Sequence, residues 1–140
     1  MRISARNQLA GTVEKVTKGA VNAEVNLKLA GGENIAAIIT NTSVDALNLK
    51  KGAAAFAVVK ASEVMIGTEM DGTKLSARNV LAGVVSKVQG GSVNSEVILT
   101  LPGGSEVVAS ITKASVKRLG LKKGTKANAV IKASNVMVGV

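Results

Sequence analysis

The sequence predicts an all-β protein of two small five-stranded barrels in tandem, each with a short helix between its third and fourth strands. Three observations predict it. Residues 3–67 recur without a gap at residues 75–139, with Ser4 and Ser76 setting an offset of 72 that every later pair keeps. Within each copy, apolar residues alternate with polar ones, the period of a half-buried strand. Glycine-rich bends then cut those runs to strand length. A repeat of this kind means two copies of one supersecondary unit, so a site in one copy is expected in the other.

The elements follow in order. Leu9, Gly11 and Val13 alternate with small or polar residues in a first strand, roughly 5–17. Lys18-Gly19-Ala20 is a turn. Val21, Ala23, Val25, Leu27 and Leu29 alternate with Asn22, Glu24, Asn26 and Lys28 in a second strand. Ala30-Gly31-Gly32 bends the hairpin, as Pro102-Gly103-Gly104 does in the second copy. A third strand covers roughly 34–40, and Thr40-Asn41-Thr42-Ser43 then offers helix N-caps. Val44 and Leu47 share one face of a short helix, which Lys50-Lys51-Gly52 closes. Ala55, Ala57 and Val59 form a fourth strand, and a short fifth runs near Val64–Ile66. Three strands, a helical turn or two and two further strands are the layout of an OB-like barrel. The expected division is a first domain at 1–69, a linker at 70–74 and a second domain at 75–140.

Composition narrows the function. The chain has 140 residues with no His, Cys, Trp or Tyr. That removes the usual zinc, haem and iron–sulfur ligands and the Cys or Ser–His nucleophiles. Nine carboxylates occur, and the recurring Glu24 and Glu96 read as single strand-surface residues, so no enzyme is expected. The absence of cysteine fits a reducing compartment. No apolar leader opens the chain and polar residues interrupt every apolar run, so a cytoplasmic protein without a membrane span is expected.

The formal charge of +9 is uneven. Residues 1–70 carry eight basic and six acidic side chains, or +2, whereas residues 71–140 carry ten and three, or +7. A basic balance points to an anionic partner. Single-strand binders use aromatic stacking platforms, but the one aromatic, Phe56, becomes Asn128 in the second copy, which argues against nucleic acid. Each copy has only about 70 residues, where a single core is marginal. Packing of the copies and of further subunits is the natural remedy, so a homo-oligomer is expected.

The polar residues kept in both copies are almost all donors. Ser4-Ala5-Arg6-Asn7 opens the first strand, Thr40 and Ser43 sit where the third strand meets the helix, and Lys60-Ala61-Ser62 separates the fourth and fifth strands. A donor-only set suits a fully ionised tetrahedral oxyanion, whose oxygens only accept. Each piece has an ordinary structural use: Arg6 as a solvated charge, Thr40 and Ser43 as a helix cap, Lys60 as an edge guard. Their joint retention, while Glu63 became Asn135 and Asp45 became Lys117, favours binding.

At these residues the chain resembles the Mop/TOBE family of molybdate-binding domains, in the tandem arrangement of two-domain molbindins. The motifs are Ser-Ala-Arg-Asn, Gly-x-Val-Asn-x-Glu-Val, Ile-Thr-x-x-Ser and Lys-Ala-Ser, and the resemblance covers essentially the whole chain. The resemblance implies a trimer of tandem chains. It implies molybdate or tungstate as the bound ligand, with no organic cofactor and no catalysis, in a storage or homeostatic role. It assigns Ser4, Arg6, Lys60 and Ala61 to one side of an interfacial oxyanion site, and Thr40 and Ser43 to the other. In the second copy these are Ser76, Arg78, Lys132, Ala133, Thr112 and Ser115. Arg118 matches a further arginine of some relatives, where the first copy has Ala46. Ala5, Asn7, Ser62, Ala77, Asn79 and Ser134 flank the motifs as additional candidates. Val21-Asn22 and Val93-Asn94 are candidates for a second class of site, although Asn22 also reads as an ordinary residue after a turn. Met65 and Met137 read as core. Two alternatives stand beside this reading: a basic OB-fold nucleic-acid binder, and a regulatory module of a molybdate transporter. The latter acts only in trans, since the chain has neither an ATPase phosphate loop nor a helix-turn-helix segment.

Overall fold

A computed structural model describes all 140 residues. The first repeat runs β1 (Asn7–Lys18), β2 (Asn22–Leu29), β3 (Asn34–Thr40), α1 (Asn41–Ala46) and β4 (Ala54–Val59). A single 3-10 turn (Ala61–Glu63) then leads into β5 (Met65–Gly67). The second repeats the plan: β6 (Asn79–Gly90), β7 (Asn94–Thr100), β8 (Glu106–Thr112), α2 (Lys113–Leu119), β9 (Lys126–Ile131), a 3-10 turn (Ala133–Asn135) and β10 (Met137–Gly139). All pairings are antiparallel.

The alternation read in β1 carries one irregularity. Leu9 and Val13 point inward, but the register with β2 shifts between Val13 and Lys15, so Glu14 is an extra, exposed residue. Val16 resumes the inward face one step late. The same bulge recurs between Val85 and Lys87. A bulge bends and twists its strand, which lets a 12-residue strand serve a curled sheet.

The repeats exchange their last strands. Strand order is β10-β4-β1-β2-β3 in one sheet and β5-β9-β6-β7-β8 in the other. Met65, Ile66 and Gly67 pair with Val130, Ala129 and Asn128, while Met137, Val138 and Gly139 pair with Val58, Ala57 and Phe56. The sequence repeat and the folded unit therefore part company after the 3-10 turn. The expectation that each barrel draws all five strands from its own copy is corrected here. Both copies end on nearly the same three residues, Met-Ile-Gly and Met-Val-Gly, so exchange preserves every contact type. Each 3-10 turn packs against the other repeat, the first on β8 and the second on β3.

The core is continuous across the seam. One cluster of 26 buried residues draws on both repeats, with Leu27, Ile35, Leu99, Leu101 and Ile131 the largest fully buried members. Asn7 and Asn79, both nearly inaccessible, fasten the seam from opposite sides. Asn7 donates Nδ2 to the Val108 carbonyl at 2.8 Å and accepts from the Val108 N–H at 2.7 Å. Asn79 does the same to Ala36 at 2.8 and 2.7 Å. Each amide thus satisfies a backbone donor and acceptor that would otherwise be buried unpaired.

These reciprocal contacts define a pseudo-two-fold axis, and equivalent residues meet on it. A Cβ on Gly31 would lie 2.9 Å from the carbonyl oxygen of Gly103, so the two hairpin bends approach as only glycines allow. Glu63 and Asn135, also equivalent, bond to each other at 2.9 Å.

Candidate functional site

The β1–β4 register builds the first half of the site. Asn7 stands opposite Val59, so Arg6, just before β1, and Lys60, just after β4, emerge at the same end of the sheet. Asn79 opposite Ile131 does the same for Arg78 and Lys132. Ala61 opens the 3-10 turn and is buried, which fixes the backbone beside Lys60.

A cleft of about 340 Å³ results. It is lined by Ile3, Ser4, Ala5, Arg6, Lys60, Ala61, Ser62 and, from the exchanged strand, Met137. The sequence-derived group Ser4, Ala5, Arg6, Lys60, Ala61 and Ser62 is thus brought together. Its counterpart, also about 340 Å³, is lined by Ser76, Ala77 and Lys132 with Leu75, Met65, Ile66, Gly67, Met70 and Val130. Arg78, Ala133 and Ser134 do not line it. Met65 and Met137 were expected in the core, but they stand 49% and 46% exposed at the cleft rims. A larger depression of about 630 Å³ lies between the linker and β6–β9. It presents Glu69 and Asp71 against one cation, Lys126, and so is a poor home for an anion.

Thr40 and Ser43 form a separate group. Thr40 caps α1: its Oγ1 accepts from the Ser43 N–H at 3.0 Å and donates to Ser43 Oγ at 2.9 Å. Thr112 and Ser115 repeat this at 3.1 and 2.9 Å. In register Asn22 faces Thr40 and Asn94 faces Thr112, so the two Val-Asn pairs stand beside these caps rather than at the clefts. Val21 and Val93 are the most exposed large apolar side chains of the chain, at 70% and 71%. Arg118 Nη2 reaches Ser115 Oγ at 3.5 Å, which adds a cation to the second cap where Ala46 adds none to the first. Asn7 and Asn79, read as additional oxyanion candidates, have both amide groups engaged at the seam and are buried.

The donor-only expectation needs correcting, because each arginine carries a carboxylate from the other repeat. Arg6 Nη1 pairs with Glu96 Oε2. Arg78 grips Glu24 with two nitrogens, Nη1 to Oε2 at 2.5 Å and Nη2 to Oε1 at 2.7 Å. Hydrogen bonding to Glu96, and then its charge, raises the Arg6 guanidinium above its ordinary value, with desolvation opposing. Glu24 and Glu96, expected as plain strand-surface residues, are thus partners of the arginines. Their signal was retention in both copies, the same signal that singled out the arginines.

The pairing also joins the two groups. Glu24 lies two residues along β2 from Asn22, on the same face and roughly 7 Å away by strand rise, and Asn22 faces Thr40. The second repeat's arginine is therefore tied to the strand whose Asn22 stands opposite the first repeat's cap. Arg6 is tied through Glu96 to the strand whose Asn94 stands opposite Thr112.

Comparison with known proteins matches the description "TOBE domain" to residues 3–66 and again to 75–138. The chain belongs to the TOBE domain family. Over all 140 residues it is 44% identical to the molybdenum transport protein ModE of Herbaspirillum seropedicae and to the molybdenum-pterin-binding protein MopA of Rhodobacter capsulatus. The chain spans about half the length of these relatives, 52% and 53%. A crystal structure of the cytoplasmic molybdate-binding protein ModG with molybdate bound superposes with a TM-score of 0.97 at 51% identity. That match covers 100% of this chain and 99% of the other, so the tandem TOBE architecture is shared from end to end. No helix is long and apolar enough to cross a membrane.

Proposed function

We propose that this tandem TOBE chain binds molybdate or tungstate reversibly, as a cytoplasmic protein of molybdenum storage and homeostasis rather than as an enzyme. The observation that carries the reading is the first cleft, where β1–β4 pairing gathers Ser4, Arg6, Lys60 and Ser62, donors of two cations and two hydroxyls. Such a set can bond the oxygens of a dianion without requiring a proton on the ligand. The full-length likeness to a protein crystallised with molybdate supports the same ligand. Thr40, Ser43 and their counterparts complete the site from a facing unit, with Ala61 and Ala133 fixing the backbone. Repeats 1–69 and 75–140, joined by 70–74, each contribute one set.

The working form in this reading is a homo-oligomer, a trimer. Ile3 with Met137 and Leu75 with Met65 leave each cleft an apolar rim about half exposed, which a neighbouring subunit would cover. A buried dianion needs that closure, since partial pairing in a dry site is costly. The missing aromatics continue to argue against a nucleic-acid role. Equilibrium dialysis of the purified chain against molybdate, with sulfate as competitor, tests the reading. Retention of molybdate against excess sulfate supports it; equal displacement by sulfate contradicts it.

A further inference from the structure

Glu24 and Glu96 do not hold the two arginines alike. Arg78 is gripped bidentately by Glu24, whose Oε1 also accepts from Asn26 Nδ2 at 3.4 Å. Glu24 is the better shielded carboxylate, with 23% of its side chain exposed against 35% for Glu96. Ile98 takes the place of Asn26 beside Glu96, which so lacks that partner and holds Arg6 through one nitrogen only. The clefts differ too: Arg6 lines its own and Arg78 does not.

We propose that Glu24 and Glu96 are affinity-setting latches that compete with the oxyanion for the two guanidiniums, and that the stronger Glu24 latch makes the Arg78 site the weaker of the pair. This rests on the oxyanion reading above. A guanidinium offers its donors in a fixed planar fork, so a bidentate carboxylate occupies the edge that a tetrahedral oxyanion needs. Binding at Arg78 exchanges two charge-assisted bonds to Glu24 for bonds to the anion, and leaves the carboxylate to be rehydrated. At Arg6 only one such bond is exchanged. Because each latch comes from the opposite repeat, freeing an arginine also removes a tie across the seam.

The test is calorimetric titration of the full chain with molybdate, and separately tungstate, for the wild type, Glu24→Gln, Glu96→Gln and Asn26→Ile. Circular dichroism and light scattering check that each variant keeps its fold and assembly. The expected wild-type isotherm has two classes of site. Glu24→Gln should tighten the weaker class by roughly twofold to fivefold, the scale of one exposed ion pair, and Glu96→Gln should tighten the stronger class by less. Asn26→Ile keeps the carboxylate but removes its second partner, so it should tighten the weaker class partway even if a glutamine variant folds poorly. Unchanged or weakened binding in the folded glutamate variants, with wild-type binding intact, overturns the latch alone. Weakening in particular would mean that the carboxylates orient the arginines toward the ligand. A wild type that binds neither anion overturns the oxyanion reading and the latch with it.

Discussion

Asn135 donates its Nδ2 to Glu63 Oε2 at 2.9 Å, although the two residues hold the same position in the two repeats. The contact lies on the pseudo-two-fold axis, where a perfect repeat would set two carboxylates against each other. The one-residue drift turns a repulsion into a hydrogen bond. Asn135→Glu should therefore destabilise the chain by about 1 kcal/mol, the scale of a partly exposed charge pair. Exchanging the two, Glu63→Asn with Asn135→Glu, should restore most of it. Urea denaturation of the four members of this cycle measures the coupling.

The seam asparagines make the opposite prediction to a ligand role. Replacing Asn7 or Asn79 with alanine leaves a buried N–H and C=O of Val108 or Ala36 unpaired. Each change should lower stability by about 2–3 kcal/mol while the folded fraction keeps its oxyanion affinity. Parallel thermal melts and binding titrations separate the two effects.

Exchange of β5 and β10, with a core continuous across the seam, predicts that the two repeats unfold together. Scanning calorimetry should give one transition whose calorimetric and van't Hoff enthalpies agree. Two resolved transitions would mean that the repeats are independent.

The end of α1 offers a gain rather than a loss. Asn48 has φ 51°, and its counterpart Gly120 has φ 63°, both in the left-handed region that ends helices. Asparagine tolerates that region but glycine adopts it freely, so Asn48→Gly should stabilise by about 0.5 kcal/mol. The denaturant midpoint of the single variant checks it.

Much of this was legible in the sequence, for identifiable reasons. Alternation and Gly-Gly bends located the strands to within a residue or two, because side-chain period and turn chemistry are local. Strand exchange was not legible, since Met65-Ile66-Gly67 and Met137-Val138-Gly139 offer nearly identical partners and local patterns cannot choose between them. Ser4, Arg6 and Lys60 were grouped by retention and by family resemblance, and the structure supplies the cause, Asn7 opposite Val59. Retention marked Asn7 and Glu96 equally without saying what each does, because the partner of each lies about 90 or more residues away. Drift was readable too, once contacts were known. Lys18 Nζ pairs with Asp45 Oδ1 at 2.6 Å, and the second copy changes both, to Gly90 and Lys117, so no lone like-charge contact remains.

The central claim is that the clefts at the Arg6 and Arg78 ends of the two sheets bind a tetrahedral oxyanion. The most direct test is molybdate titration of the wild type and of the Arg6→Ala, Arg78→Ala double variant by calorimetry, with sulfate as control and mass by light scattering. The account predicts molybdate binding by the wild type, little heat with sulfate, and loss of that binding in a double variant that remains folded. Undiminished molybdate affinity in the folded double variant would contradict it.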